Sequence, residues 1–198
     1  MDTDDTLTVG LATNLDGTFE ALVGAHQDRL YSIALRVLGN PADAEEAAQD
    51  AFVRAYRALA GYDEARIRQL RLRPWLATIV LNVCRTRRSR AAASRTTLSL
   101  DVPLPVTLEP RAPIAHGPAA VADRHAGHDT WAALLLTLPN AHRQAVVLRH
   151  VDGLSYPELA SVLGKPEGTV KAQVHRGLVQ LRAAYEAAQR LNPEELTA

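Results

Sequence analysis

The sequence of 198 residues lacks the features that mark secreted and membrane proteins. Its single cysteine, Cys84, excludes an internal disulfide framework and any zinc site that needs several cysteines. The longest apolar stretches, near 76–84 and 131–138, fall well short of the roughly 18 residues that a membrane span requires. Residues 1–5 are acidic where a secretion signal is basic. We therefore expect a cytoplasmic protein with no membrane partner.

Net charge is also absent, because 22 Lys and Arg residues balance 22 Asp and Glu residues. The balance conceals a segregated distribution: residues 66–95 hold nine arginines and no acid, whereas residues 43–50 hold four carboxylates. A charge run is usually a solvated face, but a long stretch of one sign repels itself unless a polyanion offsets it. The arginine tract is therefore a candidate contact for nucleic acid.

Strand signals are missing, and the hydrophobic fraction of 47% is carried largely by strong helix formers. Five of the eleven prolines lie in 94–128, where neither helical nor strand periodicity is found, so this stretch reads as a linker. The predicted fold class is all-α, with two small helical domains joined by a Pro-rich linker. The predicted divisions are a flexible N-terminus 1–15, a first domain 16–93, the linker 94–128, a second domain 129–190 and a C-terminal tail 191–198.

Capping signals place the helices of the first domain. Gly39 is expected to end one helix, and Asn40 with Pro41 to begin the next as N-cap and first helical residue. That second helix should stop near Gly61, and Pro74 should open a third after a basic loop.

The second domain has the outline of a helix-turn-helix. Ser155 and Glu158 stand at the two positions of a capping box that opens a short helix. A tight turn at Gly164 then leads into a final helix from Glu167 to about Ala188.

The last helix has one apolar face and one mixed polar face. The apolar face, expected to be buried, consists of Val170, Val174, Leu178 and Leu181. The other face carries the candidate residues for duplex recognition: Thr169, Lys171, Ala172, Gln173, His175 and Arg176. Arg can fork onto guanine, Gln onto adenine, and Lys can reach phosphate in a major groove. From this helix alone, an ordinary solvated face is an equally good reading, and the preceding capped helix favours groove binding.

Two sets of residues resemble a known family. The segments Leu138–Pro139, Gln144–Arg149, Asp152–Ala160, Leu163–Gly164 and Gly168–Lys171 resemble region 4 of bacterial RNA polymerase sigma factors. The segments Leu38–Glu46, Gln49–Tyr56 and Pro74–Leu76, with Asn82, resemble region 2. The two resemblances occur in the right order with a linker where region 3 would lie. On these residues the chain is identified as a member of the extracytoplasmic-function (ECF) subfamily.

The resemblance implies a non-enzymatic promoter-specificity factor with three contact sites and no catalytic residue, cofactor or metal. Gln49 and Asp50 would contact core RNA polymerase. The melted minus-10 strand would be held by Asn82, Arg85, Arg87 and Arg88. The last helix would read the minus-35 duplex. The expected partners are core RNA polymerase, promoter DNA and, because many relatives are held inactive by one, an anti-sigma factor. The stretch 61–73 is longer and more basic than the family's usual loop, so the base-pocket residues are left unnamed.

Two other function classes stay open at this point. A polymerase-independent helix-turn-helix regulator would need only the second domain, and would bind a palindromic site. An enzyme could use Cys84, whose neighbouring arginines favour a thiolate, but the sequence has no His-Asp partner pattern. The linker histidines His116, His125 and His128 lack nearby carboxylates, which disfavours a metal site.

Overall fold

The computed structural model describes residues 3–97 and 131–191. All regular elements in these two ranges are helices, in agreement with the predicted all-α class. In chain order they are α1 (Thr3–Thr13), α2 (Leu15–Leu38), α3 (Pro41–Ala60), α4 (Glu64–Arg68), α5 (Leu72–Thr97), α6 (131–137), α7 (Asn140–Val146) with a π-helical turn (Val147–Val151), α8 (Tyr156–Leu163) and α9 (Glu167–Leu191). Most of the predicted linker, its three histidines and residues 192–198 lie outside the described residues.

The local signals act as the sequence predicts. Asn40 accepts a hydrogen bond from the backbone N–H of Asp43 at 3.1 Å and so caps α3. Both halves of the Ser155–Glu158 capping box are formed at the start of α8. Gly164 ends α8 with φ of 62°, in the left-handed region that favours glycine. These helix ends are therefore encoded by residues within one turn of them.

The N-terminus differs from the prediction, because residues expected to be flexible form α1. The helix buries Leu7, Thr8, Leu11 and Ala12 against the first domain. Only two of these are large apolar side chains, which is too weak a pattern to show helical periodicity in the sequence. Tertiary contacts to α2, α4 and α5 supply the stability that local propensity does not.

The basic loop before α5 also differs, because it contains the short helix α4. Asp63 caps it by accepting a hydrogen bond from the backbone N–H of Arg66 at 2.7 Å. Ile67 is its buried residue. Helix α5 begins at Leu72 rather than at Pro74, and it runs to Thr97, past the predicted domain end at residue 93.

The buried apolar side chains form one continuous core, to which each half of the chain contributes its own set of packed helices. In the first half, α2, α3 and α5 pack side by side around fully buried side chains such as Leu22, Leu30 and Leu76. In the second half, α9 packs across α7 and α8. At Gly177 an added Cβ would lie 2.6 Å from Val146 Cγ2, so only glycine allows this close approach of α9 to α7.

The two halves pack against each other through an interface that we call the module interface. It is formed by α2 and α5 on one side and by α7, the π-turn and α8 on the other. At its centre Arg29 donates from Nε and Nη2 to the two carboxylate oxygens of Asp152, with an Nη2–Oδ2 distance of 2.6 Å. Arg73 Nη2 donates to the backbone carbonyl of Asp152 at 2.6 Å. The Asp152 side chain is fully buried and Arg29 is 16% exposed, so the charges neutralise each other away from water.

Arg143 also joins the two halves, at the end of α2. The buried guanidinium of Arg143 donates to the carbonyls of Val37, Leu136 and Leu138 at 2.9, 2.7 and 3.0 Å. The Val37 carbonyl lies in the last turn of α2, where helix carbonyls need partners from outside the helix. Gly39 has φ of 79°, and a Cβ there would lie 2.6 Å from Leu136 Cδ1. The left-handed backbone thus favours glycine at this turn, and the Leu136 side chain fills the space beside it.

Candidate nucleic-acid and polymerase interfaces

Helix α9 exposes its predicted recognition face. Thr169, Lys171, His175 and Arg176 are exposed, while Ala172 and Gln173 are half-buried. On the opposite face Val170 and Val174 are buried as expected, but Leu178 is 38% exposed. Leu178 is not buried because it lines an open groove with Trp131 and Val151 and does not enter the core. Between Thr169 and Arg176 the face that remains is polar and cationic, as groove entry requires, and Val179, which is 56% exposed, follows one turn later.

The position of α9 is set by α8 and by the turn between them. The Glu158 carboxylate accepts from the Ser155 backbone N–H at 2.8 Å and lies 3.4 Å from Arg71 Nη2 across the module interface. The Ser155 hydrogen bonds, with the charges of Arg71 and Arg73, lower the pKa of the Glu158 carboxyl. Lys171 is paired with Glu167 at 2.7 Å, one turn earlier on the helix. Arg176 keeps its guanidinium on the exposed face without such a pair within the described residues.

Helix α5 carries the residues predicted to meet single-stranded DNA. Asn82 and Arg85 are exposed and joined by a hydrogen bond of 2.9 Å from Arg85 Nη1 to Asn82 Oδ1. Arg88 is exposed and donates to Asn140 at the module interface. Asn82, Arg85 and Arg88 therefore follow one another along α5 at intervals of three, which places them on one face of the helix.

Arg87 is placed differently from the other arginines of this tract. Its Nη1 lies 2.7 Å from Glu46 Oε2 and its Nη2 lies 3.0 Å from Asp50 Oδ2, both on α3. The Glu46 hydrogen bond is the largest cause of a raised pKa for Arg87. The side chain is only a quarter exposed. Arg87 thus joins α5 to α3 through two carboxylates.

The predicted polymerase residues are exposed on α3. Gln49 and Asp50 both face solvent, and Asp50 is the carboxylate that Arg87 holds. An open groove beside Gln49 is lined by residues of α2 and α3, among them Asp28, Tyr31 and Phe52. The groove adds apolar and aromatic surface that the sequence analysis did not assign. Phe52 belongs to the periodic buried face of α3, but Tyr31 is exposed and lies off the buried face of α2, so periodicity gave no signal for it.

An aromatic and cationic cluster lies in the stretch whose pocket residues the sequence left unnamed. The guanidinium of Arg66 stands 3.7 Å from the centre of the Tyr62 ring. The Tyr62 ring centre is 6.4 Å from that of Trp75 at the start of α5. Trp75 is half-buried, so its role is mainly packing against the core. Stacking platforms of this kind suit unstacked bases.

The remaining features concern the environment of Cys84, the grouping of metal-ligating side chains and the apolar character of the helices. Cys84 is fully buried, and burial raises the pKa of its thiol to about 11 despite the nearby charges of Arg87 and Arg88. The expectation that the arginines would favour a thiolate is thus wrong, because desolvation outweighs their charge. Within 3–97 and 131–191, no three His, Cys, Asp or Glu side chains gather as metal ligands. Among the described helices, none has both the length and the apolar character of a membrane crossing.

Comparison with known proteins follows the same division of the chain. Residues 22–94 match the family model for sigma-70 region 2, and residues 128–181 match that for sigma-70 region 4. An ECF RNA polymerase sigma factor, SigE of Mycolicibacterium smegmatis, is 35% identical over 167 residues, which is 83% of this chain and 60% of that protein. SigW of Bacillus subtilis, also an ECF sigma factor, is 30% identical over 175 residues, covering 83% of this chain and 87% of SigW.

Solved structures agree on the fold. CnrH, in complex with the cytosolic domain of CnrY, is 26% identical with a TM-score of 0.62 over 94% of this chain and 99% of that chain. The sigma factor RpoE of Bartonella quintana, in complex with the anti-sigma factor NepR, gives a TM-score of 0.63 at 21% identity over 85% of this chain and 96% of that chain. The class defined by the fold and these surfaces is the sigma-70 type of transcription factor. The chain belongs to the ECF family of RNA polymerase sigma factors.

Proposed function

We propose that the chain binds core RNA polymerase in the cytoplasm and directs initiation at promoters with two separate DNA elements. The observation that carries the proposal is the combination in one chain of an acid-rich α3, an arginine-bearing α5 and a helix-turn-helix. A helix-turn-helix regulator that acts alone would need neither of the first two. No step requires covalent catalysis, because base pairs are exchanged for contacts with the protein.

The minus-35 duplex would be read by α9. Its exposed face offers Arg176 for a bidentate contact with guanine and Lys171 for phosphate, with Thr169, Ala172, Gln173 and His175 around them. Lys171 must exchange Glu167 for the phosphate, a small cost because the pair is exposed.

The melted minus-10 strand would be held along α5. Asn82 can both donate to and accept from a base edge once Arg85 releases its side-chain oxygen to the base. Arg85 and Arg88 are placed to follow the phosphates. Arg87 supports this surface from behind through its bonds to α3.

Core polymerase would dock on α3 and the groove beside it. Asp50 and Gln49 present charge and amide to a basic partner surface, and the groove with Tyr31 and Phe52 adds apolar area. Such complementarity gives orientation and a fast encounter more than raw affinity. RpoE of Bartonella quintana was solved with an anti-sigma factor, and an anti-sigma partner is part of the proposal for this chain.

Promoter binding would require the module interface to open. By their names the two DNA elements lie about 25 base pairs apart, or roughly 85 Å of duplex at about 3.4 Å per pair. Packed helices lie about 10 Å apart and rise about 1.5 Å per residue. Asn82 lies four residues beyond Thr78, which shares a groove with α8, and Arg176 lies nine residues into α9. From Asn82 across α8 to Arg176 is therefore roughly 50 Å at most, so the two residues cannot reach both elements while α5 contacts α8. The arrangement described here is therefore a closed form, in which Arg29, Asp152 and Arg143 hold the halves together.

The test is transcription with purified components. Core polymerase and the chain are mixed, and run-off transcripts are sequenced from a pool of random promoters. We expect a two-element consensus and co-migration of the chain with core polymerase. Failure to co-migrate, or co-migration without any selected transcript, would refute the proposal.

Residue-level reading of the minus-35 element is tested in the same assay. Replacing Arg176 with Ala should cost roughly 1 to 3 kcal/mol and relax the preference at one minus-35 position. Arg182→Ala is the matched control, because Arg182 is exposed on the same helix but bonded to Glu186 beyond the recognition face. If both variants rank promoters as the wild type does, Arg176 does not read a base.

A further inference from the structure

Helix α1 precedes both family matches, the first of which begins at residue 22, yet it is packed into the first half of the chain. Leu11 is 1% exposed and Leu7 is 7% exposed, and both belong to the same continuous core as the residues of α2 and α5. The contacts of α1 are with α2, α4 and α5. Helix α1 therefore contacts α2, which precedes the basic stretch 61–71, α4 within it, and α5, which follows it.

Helix α4 depends on α1 for its place. With five residues it is too short to be stable by itself, since isolated helices below about 12 residues are marginal in water. Its one buried side chain is Ile67, which is 4% exposed. Among the helices of the described ranges, α1 is the one against which α4 packs extensively. Removing the apolar side of α1 would leave Ile67 without its cover.

Helix α1 is itself held firmly by α2. The Asp4 carboxylate lies 3.2 Å from Nε2 of His26, whose side chain is 5% exposed. At Gly10 an added Cβ would lie 2.8 Å from Cγ2 of Thr18, so the start of α2 and the end of α1 are in close contact. Contacts with α2 thus fix the position of α1, and contacts with α1 fix the position of α4.

The segment that α4 orders has the chemistry of a single-strand contact. Arg66 and Arg68 are exposed on α4, and Arg66 covers the Tyr62 ring. The same segment leads into α5, where Asn82 lies two turns beyond Trp75. Exposed guanidinium groups beside aromatic rings hold unstacked bases and their phosphates.

We propose that α1 is a positioning element for minus-10 recognition, in which Leu11 fixes α4 and the 61–71 segment in the form that meets the melted strand. The inference rests on the proposed function and adds a specificity determinant that lies outside the family's matched region. Leu11 does not touch DNA in this scheme. It acts through α4, so its loss should blur base preference rather than abolish binding.

The experiment compares three variants of the full-length chain in transcription with core polymerase. Leu11→Ala removes the anchor, Leu11→Met keeps its volume, and Val9→Ala is the matched control because Val9 is 46% exposed on the same helix. Promoters are varied one base at a time in the minus-10 and the minus-35 elements. Hydrogen exchange of the 61–71 amides is followed in parallel, with the amides of α3 as the internal reference.

A base that is read is preferred by roughly 5- to 150-fold. We expect Leu11→Ala to reduce this preference toward equality in the minus-10 element only, with faster exchange in 61–71, and Leu11→Met and Val9→Ala to behave as wild type. Unchanged minus-10 ranking in a folded Leu11→Ala protein would overturn the inference, as would equal losses in the minus-35 element or in polymerase binding. If Leu11→Ala does not fold, Leu11→Val is judged by the same criteria. If the wild type itself starts no transcript, the proposed function fails. If the wild type initiates and Leu11→Ala ranks the minus-10 variants as the wild type does, only the inference about α1 fails.

Discussion

Replacing Arg29 with Gln should open the module interface. The change leaves the carboxylate of Asp152, whose side chain is fully buried, without its charged partner. Removing one member of a buried pair costs roughly 3 to 5 kcal/mol. After the halves separate, both side chains are in water and the cost disappears. The ratio of closed to open molecules should therefore fall by roughly 150-fold or more, at about 1.4 kcal/mol per factor of ten.

The assay is a distance distribution between two spin labels, one in each half. Ala60→Cys on α3 and Ala187→Cys on α9 supply exposed attachment sites. The native Cys84 does not compete, because it is buried and its thiol pKa is raised to about 11. We expect a short-distance population in the wild type and a growing long-distance population in Arg29→Gln.

Two further variants sharpen the interpretation. Arg57→Gln is the control, because Arg57 is exposed on α3, away from the module interface. Arg29→Lys keeps the charge but not the two-pronged hydrogen bond, so it should fall between wild type and Arg29→Gln. Since only open molecules reach both promoter elements, Arg29→Gln should also raise initiation at limiting protein concentration. Distance distributions that coincide for Arg29→Gln and Arg57→Gln would refute the reasoning.

Three other outcomes are expected. Arg85→Ala should lower the salt slope of open-complex formation by about 1, whereas Arg87→Ala should leave it unchanged because Arg87 is held by carboxylates; equal slopes would contradict this. Cys84 should resist a thiol reagent at pH 8 in the folded protein and react fully in urea, and rapid labelling without urea would show that it is not buried. Burial lowers the pKa of His26 more than Asp4 raises it, so as pH falls below 6.5 the unfolded chain takes up the proton first and stability decreases. Urea unfolding at pH 7.5 and pH 5.5 should show this loss in the wild type and a smaller one in His26→Gln.

Features encoded by neighbouring residues could be predicted from the sequence. The Asn40 cap and the Ser155–Glu158 box each depend on side chains three positions from their targets, and both formed. The exposed face of α9 followed from the 3.6-residue period. Leu178 departs from the predicted stripe because the groove with Trp131, which comes from a distant part of the chain, decides its exposure.

Features that depend on contacts between distant segments could not be predicted. Helix α1 has little periodicity of its own and forms because α2 and α4 cover its apolar side. The ion pairs of Arg87 could not be predicted, since nothing local shows that Glu46 and Asp50 lie opposite it. The pairing of Arg29 with Asp152 spans 123 positions in sequence, and no pattern in a single chain signals it.

The bonds from Arg87 to Glu46 and Asp50 have a consequence for sequence variation. A mutation that reverses the charge of either helix alone places like charges face to face, whereas reversal of both restores attraction. Among natural homologues, positions 46, 50 and 87 are thus expected to change as a group. Substitution of Arg87 is therefore constrained by the two acidic residues that it pairs with on another helix.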